Sequence, residues 1–254
     1  MPDIPKVNIL GVPVAAIDMP TARAVISESI SAGTQHIICI ANTHTVMQTQ
    51  HDSAFRAIYE QALLITPDGM PLVWLAHLYG HPQAGRVYGP DLMWEVCASQ
   101  AYRHFFYGGS ETILDRLCMN LRRQFPALQI VGTYAPPFRP LTSDENHAVA
   151  ATINAARPDI VWVGLGAPKQ EYWMAALRDQ LTAPLLIGVG AAFDFHAGIK
   201  RQSPRFLQQM GLEWAFRLVT EPRRLWRRYL FTIPPFVVLS LAQFLRLKRF
   251  PDRP

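Results

Sequence analysis

Asp68 stands in Pro67-Asp68-Gly69, directly after the apolar run ALLIT (62–66). A carboxylate placed there is partly desolvated, which raises its proton affinity and suits it to act as a general base toward a sugar hydroxyl. The same tripeptide is also a common turn. Gly108-Gly109-Ser110 follows the apolar run at 103–107 and precedes a helical stretch. It either lets backbone N–H groups approach a phosphate at a helix N-terminus or makes a tight turn. Arg86, in GRVYGPDL, reads as a bidentate phosphate ligand or as a surface arginine. Asp194 offers its oxygens to a ribose or sugar, or caps a helix.

Other chemistries lack their signatures. No GK[ST] ending follows the glycine pair, and GVGAAFDFHAG (188–198) does not supply GxGxxG in a strand-turn-helix setting. His44, His51 and His196 have no HExxH-like spacing, and the acids form no DxD-like pair, so no metal is expected. A Ser-His-Asp hydrolase would prefer a GxSxG elbow, and none occurs.

The elements that must position these residues are visible as alternating patterns. Apolar runs at 35–41, 62–66, 103–109, 128–134, 159–166 and 184–190 are separated by helical stretches. Runs apolar at successive positions suit strands covered on both faces, so a mostly parallel, Rossmann-like α/β sheet with helices on both sides is expected. Thr142 or Ser143, followed by Asp144 and Glu145, starts a helix running to about Ala156, and Ser110 precedes another reaching about Gln124. Ligands of open parallel sheets collect beyond the carboxyl ends of the strands. Asn42-Thr43-His44, Pro67-Asp68-Gly69, Gly108-Gly109-Ser110, Pro168 to Glu171 and Phe193 to His196 all fall at such ends. Their convergence would make one site.

The last fifth of the chain differs in kind. Residues 211–230 read GLEWAFRLVTEPRRLWRRYL, and residues 211–254 hold nine Arg or Lys against three acids, a net of +6. The whole chain carries +5, so its basic character belongs to this segment. With Pro222 opening a helix, Arg223, Arg224, Arg227 and Arg228 are expected on one face and Leu225, Trp226, Tyr229 and Leu230 on the other. The uncharged run from Tyr229 to Leu245 would reach about 25 Å as a helix, short of a bilayer core of about 30 Å. Pro234 and Pro235 interrupt it. An interfacial or partly embedded helix is expected, against the alternative of a helix packed on the protein's own core or on a sister subunit. The expected division is therefore a catalytic α/β domain at 1–210 and an appendage at 211–254.

A chain of 254 residues, half of them apolar, fills a substantial core. Three unevenly spaced cysteines, Cys39, Cys97 and Cys118, indicate neither a disulfide framework nor a zinc cluster and fit a reducing, cytoplasmic compartment. The first residues carry prolines and acids where a signal peptide needs a basic start and an apolar run.

Taken together, Asn42, TPDG (66–69), RVYGPDL (86–92), the glycine pair, VGLGAPKQE (163–171), GVGAAFDFHAG (188–198) and GLEWAFRLVTEPRRLWRRY (211–229) resemble the WecG/TagA/CpsF family of bacterial glycosyltransferases over nearly the whole chain. The resemblance implies inverting, metal-independent transfer of a sugar from a UDP-sugar to a sugar on polyprenyl diphosphate, in surface polysaccharide synthesis. It implies Asp68 as general base, Asn42 helping to place the sugars, Arg86 and Gln170 holding substrates, and Asp194 near the nucleotide sugar. It also implies that Arg217, Arg224 and Arg227 close over the site and stabilise the leaving diphosphate. Location on the inner face of the cytoplasmic membrane, with homo-oligomers away from it, follows from the same resemblance. One departure is Ile40, where relatives often carry threonine. The competing readings are a non-catalytic nucleotide-binding scaffold docked on anionic lipid, and a nucleic-acid binder, which the apolar run after the basic helix disfavours.

Overall fold

The computed structural model describes residues 4–251. The chain opens with β1 (Lys6–Ile9), β2 (Val12–Ala15), α1 (Met19–Ala32), β3 (His36–Ala41), α2 (Thr43–His51), α3 (Ser53–Gln61) and β4 (Leu64–Pro67). It continues with α4 (Met70–Leu78), α5 (Gly89–Ala98), β5 (Arg103–Gly108), α6 (Glu111–Gln124), β6 (Gln129–Tyr134), α7 (Ser143–Ala156) and β7 (Ile160–Gly164). The remainder is α8 (Lys169–Leu177), β8 (Leu185–Gly188), α9 (Ala192–His196), α10 (Arg205–Gln209), α11 (Glu213–Thr220) and α12 (Pro222–Phe244). Six strands form a sheet in the order β4-β3-β8-β7-β5-β6, and the pairings β3–β8, β8–β7, β7–β5 and β5–β6 are all parallel. This is the expected α/β class, and each of the six apolar runs supplies one strand.

Two compact units divide the described residues, and the first comprises Pro20–Ile40 and Gly89–Arg201. Its strands β5, β7 and β8 are buried almost end to end, as unbroken apolar runs require. Inside, the Trp162 indole N–H donates to His104 Nδ1 at 2.9 Å, and the two rings stack. The Ser110 hydroxyl caps α6 by accepting from the Ile113 N–H at 3.3 Å. Thr142 and Glu145 close a capping box on α7, so both helix starts fall where the sequence puts them.

The second unit comprises residues 4–19, Ala41–Tyr88 and 202–251. The β1–β2 hairpin turns through Leu10 and Gly11, both at positive φ, the combination a two-residue primed turn needs. Helix α12 packs on α2, and its far end is tied to the hairpin. There Gln243 Oε1 accepts from the Leu10 N–H at 2.9 Å, and Gln243 Nε2 donates to the Asn8 carbonyl at 2.9 Å.

Two expectations for α12 need correcting. The helix is not broken at Pro234 and Pro235 but runs through both. These prolines withdraw two N–H donors, yet they lie on the exposed side, where water reaches the carbonyls left without partners. The face assignment also differs. Leu225 and Phe236 are buried and Arg228 and Tyr229 half-buried, whereas Trp226 and Leu230 are exposed beside Arg223 and Arg227. Inward positions recur at helical spacing from 225 through 232 and 236 to 240, and that register carries Arg228 in and Trp226 out. No helix among the described residues is long and apolar enough to cross a membrane.

Candidate active site

Strands β3 and β4 end side by side in the second unit, where the Asp68 N–H donates to the Ala41 carbonyl at 2.8 Å. Asn42 follows β3 and caps α2, its Oδ1 accepting from the N–H groups of His44 at 3.0 Å and Thr45 at 3.3 Å. The cap commits the oxygen of that amide and leaves Nδ2 as the half suited to donate to a ligand. Asp68 is half-buried after β4, and its carbonyl accepts from Arg86 Nε.

Asn42, Asp68, Arg86 and Arg217 meet in a cleft of about 610 Å³ within this unit. His44, Glu213 and Arg228 line it with them. Burial, reinforced by the Arg228 charge, holds His44 down at about 4, so its imidazole is neutral near pH 7. Beyond this polar end the wall is apolar, built from Trp74, Leu75 and Leu78 of α4, Trp214 of α11, and Phe236, Leu241 and Phe244 of α12. Gly211, at φ +70°, lies so near Trp74 that a Cβ there would come within 2.5 Å of the indole. The shape suits an amphiphile with an anionic head and a long apolar body.

Arg224 and Arg227 are not among the lining residues. Arg224 pairs with Glu221 at 2.6 Å, and the Arg227 guanidinium sits 5.2 Å from the exposed Trp226 ring. Arg86 does line the cleft, but its guanidinium is already engaged by the Asp68 carbonyl, by Gln208 at 3.0 Å and by Glu213.

The other predicted residues belong to the first unit. Gly108 ends β5 at φ +125°, and a Cβ there would stand 2.7 Å from the Gly164 carbonyl carbon, so close strand packing alone requires glycine. Gly109 follows at φ +70° and leads into the N-terminus of α6. Gln170 is 4% exposed, its Oε1 accepting from the N–H groups of Gly166 at 3.1 Å and Gly190 at 3.0 Å. Its Nε2 donates to Glu171 at 3.0 Å. Gln170 therefore clamps the loops after β7 and β8. Asp194 caps no helix with its side chain and pairs with Lys200 at 2.9 Å. Ile40, at the departure from the family pattern, is buried.

Sequence reasoning named neither Glu213 nor Arg228 as a site residue. Glu213 is one of two acids among the tryptophans and arginines of residues 211–230, and Arg228 is masked by three neighbouring arginines. Among the described residues no three His, Cys, Asp or Glu side chains group as metal ligands, and all three cysteines are free and buried.

A parallel α/β sheet and a cleft with a carboxylate and cations at its polar end are features compatible with a glycosyltransferase. The chain matches the model of the glycosyl transferase WecG/TagA/CpsF family over residues 7–250, and it belongs to that family. It is 31% identical over 207 residues to an N-acetylglucosaminyldiphosphoundecaprenol N-acetyl-beta-D-mannosaminyltransferase of Bacillus spizizenii W23, covering 80% of this chain and 78% of the relative. A protein of the same description from Bacillus subtilis 168 is 27% identical over 221 residues, covering 86% of this chain and 84% of that one.

Proposed function

We propose that this glycosyltransferase moves a sugar from a UDP-sugar to a sugar carried on polyprenyl diphosphate, with inversion, at the cytoplasmic face of the membrane, in surface polysaccharide synthesis. The observation that carries the reading is the cleft of the second unit, with Asp68 at its polar end and an isoprenoid-compatible wall beyond it. The relatives' names supply the acceptor class, a sugar on undecaprenyl diphosphate.

In this reading the acceptor hydroxyl attacks the anomeric carbon of the donor while the bond from that carbon to the UDP phosphate oxygen breaks. Asp68 takes the hydroxyl proton, and a single displacement inverts the centre. Asn42 Nδ2 orients a sugar. Arg217 and Arg228 face the phosphate charge, and no resident metal is required. Gly108, Gly109 and Asp194 serve the nucleotide sugar, while Gln170 shapes the loops around it. Arg224 and Arg227, on the outside of α12, contact anionic lipid head groups together with the exposed apolar side chains of that helix.

The test incubates a panel of UDP-sugars with the protein and a short-chain polyprenyl-diphosphate N-acetylglucosamine, and weighs the lipid product. One added sugar from one donor supports the reading, and the rate in EDTA should stay within about twofold of the untreated rate, a change of under half a kcal/mol in barrier. Folded protein that transfers none of the panel to acceptors differing in sugar and chain length contradicts it.

A further inference from the structure

Asp68 is held by its main chain from two sides. Its N–H donates to the Ala41 carbonyl at 2.8 Å, and its carbonyl accepts from Arg86 Nε. The preceding Pro67 carbonyl accepts from the Val87 N–H at 2.9 Å, so the 86–88 segment runs alongside the Asp68 turn. The remaining edges of the Arg86 guanidinium point to the chain after residue 202. Nη1 donates to Gln208 Oε1 at 3.0 Å and Nη2 to Glu213 Oε2. Glu213 Oε1 in turn accepts from the Tyr88 hydroxyl at 3.2 Å, and the Tyr88 ring lies under the guanidinium at 3.9 Å. The Arg86 and Glu213 side chains are only 16% and 17% exposed, so this ion pair is shielded from solvent, unlike an open surface pair.

We propose that Glu213 is a positioning residue for transfer: through Arg86 it fixes the main chain of Asp68, so that seating of α11 sets the geometry of the base. The inference rests on Asp68 being that base. Two carboxylates, Asp68 and Glu213, act on the Arg86 charge, and Glu213 is the one that hydrogen-bonds Nη2 and so fixes that edge of the guanidinium. Glu213 is the first residue of α11, where the helix N-terminus favours a negative side chain, and the seated helix and the seated arginine support each other. Tyr88 holds the second carboxylate oxygen and so selects the rotamer that points at Arg86.

The test compares Glu213→Gln, Glu213→Ala, Tyr88→Phe, Arg86→Lys and the double variant R86K/E213Q in the lipid-product assay, with thermal melting of each. Loss of a charge-assisted buried contact predicts that kcat falls about 10- to 100-fold in Glu213→Gln, while KM for donor and acceptor stays within about twofold. Tyr88→Phe loses less. The double variant is no slower than Arg86→Lys alone, because both changes cut one connection. If Glu213→Ala fails to fold, the isosteric Glu213→Gln carries the test. Full kcat in a folded Glu213→Gln, or additive losses in the double variant, overturns the inference. Asp68→Asn in the same assay separates the two claims: if it is inactive while Glu213→Gln is fully active, only the positioning role fails, and if Asp68→Asn is fully active the base assignment fails.

Discussion

Asp68 was legible because Pro-Asp-Gly follows an apolar run, and strand ends are where open parallel sheets bind ligands. The structure adds the neighbours that sequence distance hides. Glu213 lies 127 positions from Arg86 yet forms an ion pair with it, and no local pattern encodes such a pair. Gln170 shows the converse: the VGLGAPKQE motif marked it, but its amide is taken up by three internal hydrogen bonds. We predict that Asp68→Asn lowers kcat by roughly 10²- to 10⁴-fold, the usual worth of a general base, with an unchanged melting temperature. A loss below fivefold in the lipid-product assay would remove Asp68 from that role. Gln170→Leu removes three hydrogen bonds and takes the side-chain acceptor from the part-buried Gly166 N–H, a loss of about 1–3 kcal/mol, so its urea midpoint should fall clearly. An unshifted midpoint would mean the amide is free to serve a ligand instead.

At the scale of elements, the six strands of the large sheet and the capped helices α6 and α7 were readable because each carries its signal locally: a run of apolar residues, or a Ser or Thr cap. The β1–β2 hairpin was missed because its Leu10-Gly11 turn lacks the Asn-Gly or Asp-Gly signal. The Pro234-Pro235 pair misled in the other direction, since a helix interior tolerates proline where the freed carbonyls stay solvated. Helix α12 leaves Leu230, Phe231, Val238 and Leu241 more than half exposed, along the same side as Arg223 and Arg227. An apolar stripe edged by cations is the pattern of a helix lying in the head-group layer. We predict that Phe231→Asn with Val238→Asn weakens sedimentation with anionic vesicles at least tenfold while leaving the fold intact. Arg224→Gln with Arg227→Gln should weaken it by a similar factor, at about 1 kcal/mol per charge, and only on anionic vesicles. Unchanged sedimentation in both pairs would place α12 on some other partner.

The whole molecule should respond to acid in one direction. His104 is fully buried in the first unit, and burial lowers it to about 4, against 6.5 when exposed. Its stabilising contribution is therefore complete above about pH 6.5 and is lost as the pH falls from there toward 4, because the unfolded chain takes up the proton first. His36, His44 and His196 are lowered too, and they act in the same sense. The melting temperature should fall steadily between pH 7 and pH 5, and His104→Phe should flatten that slope. An identical slope in the variant would assign the acid sensitivity to other groups.

The central claim is that the cleft of the second unit holds a lipid-linked acceptor whose hydroxyl is deprotonated by Asp68. The most direct measurement is single-turnover transfer from a UDP-sugar to polyprenyl-diphosphate N-acetylglucosamine, by wild-type protein and by Asp68→Asn, read as the mass of the lipid product. The account predicts a gain of one sugar that appears rapidly with the wild type and at least a hundredfold more slowly with the variant. Equal rates for the two proteins, or UDP release with no sugar on the lipid, would contradict it.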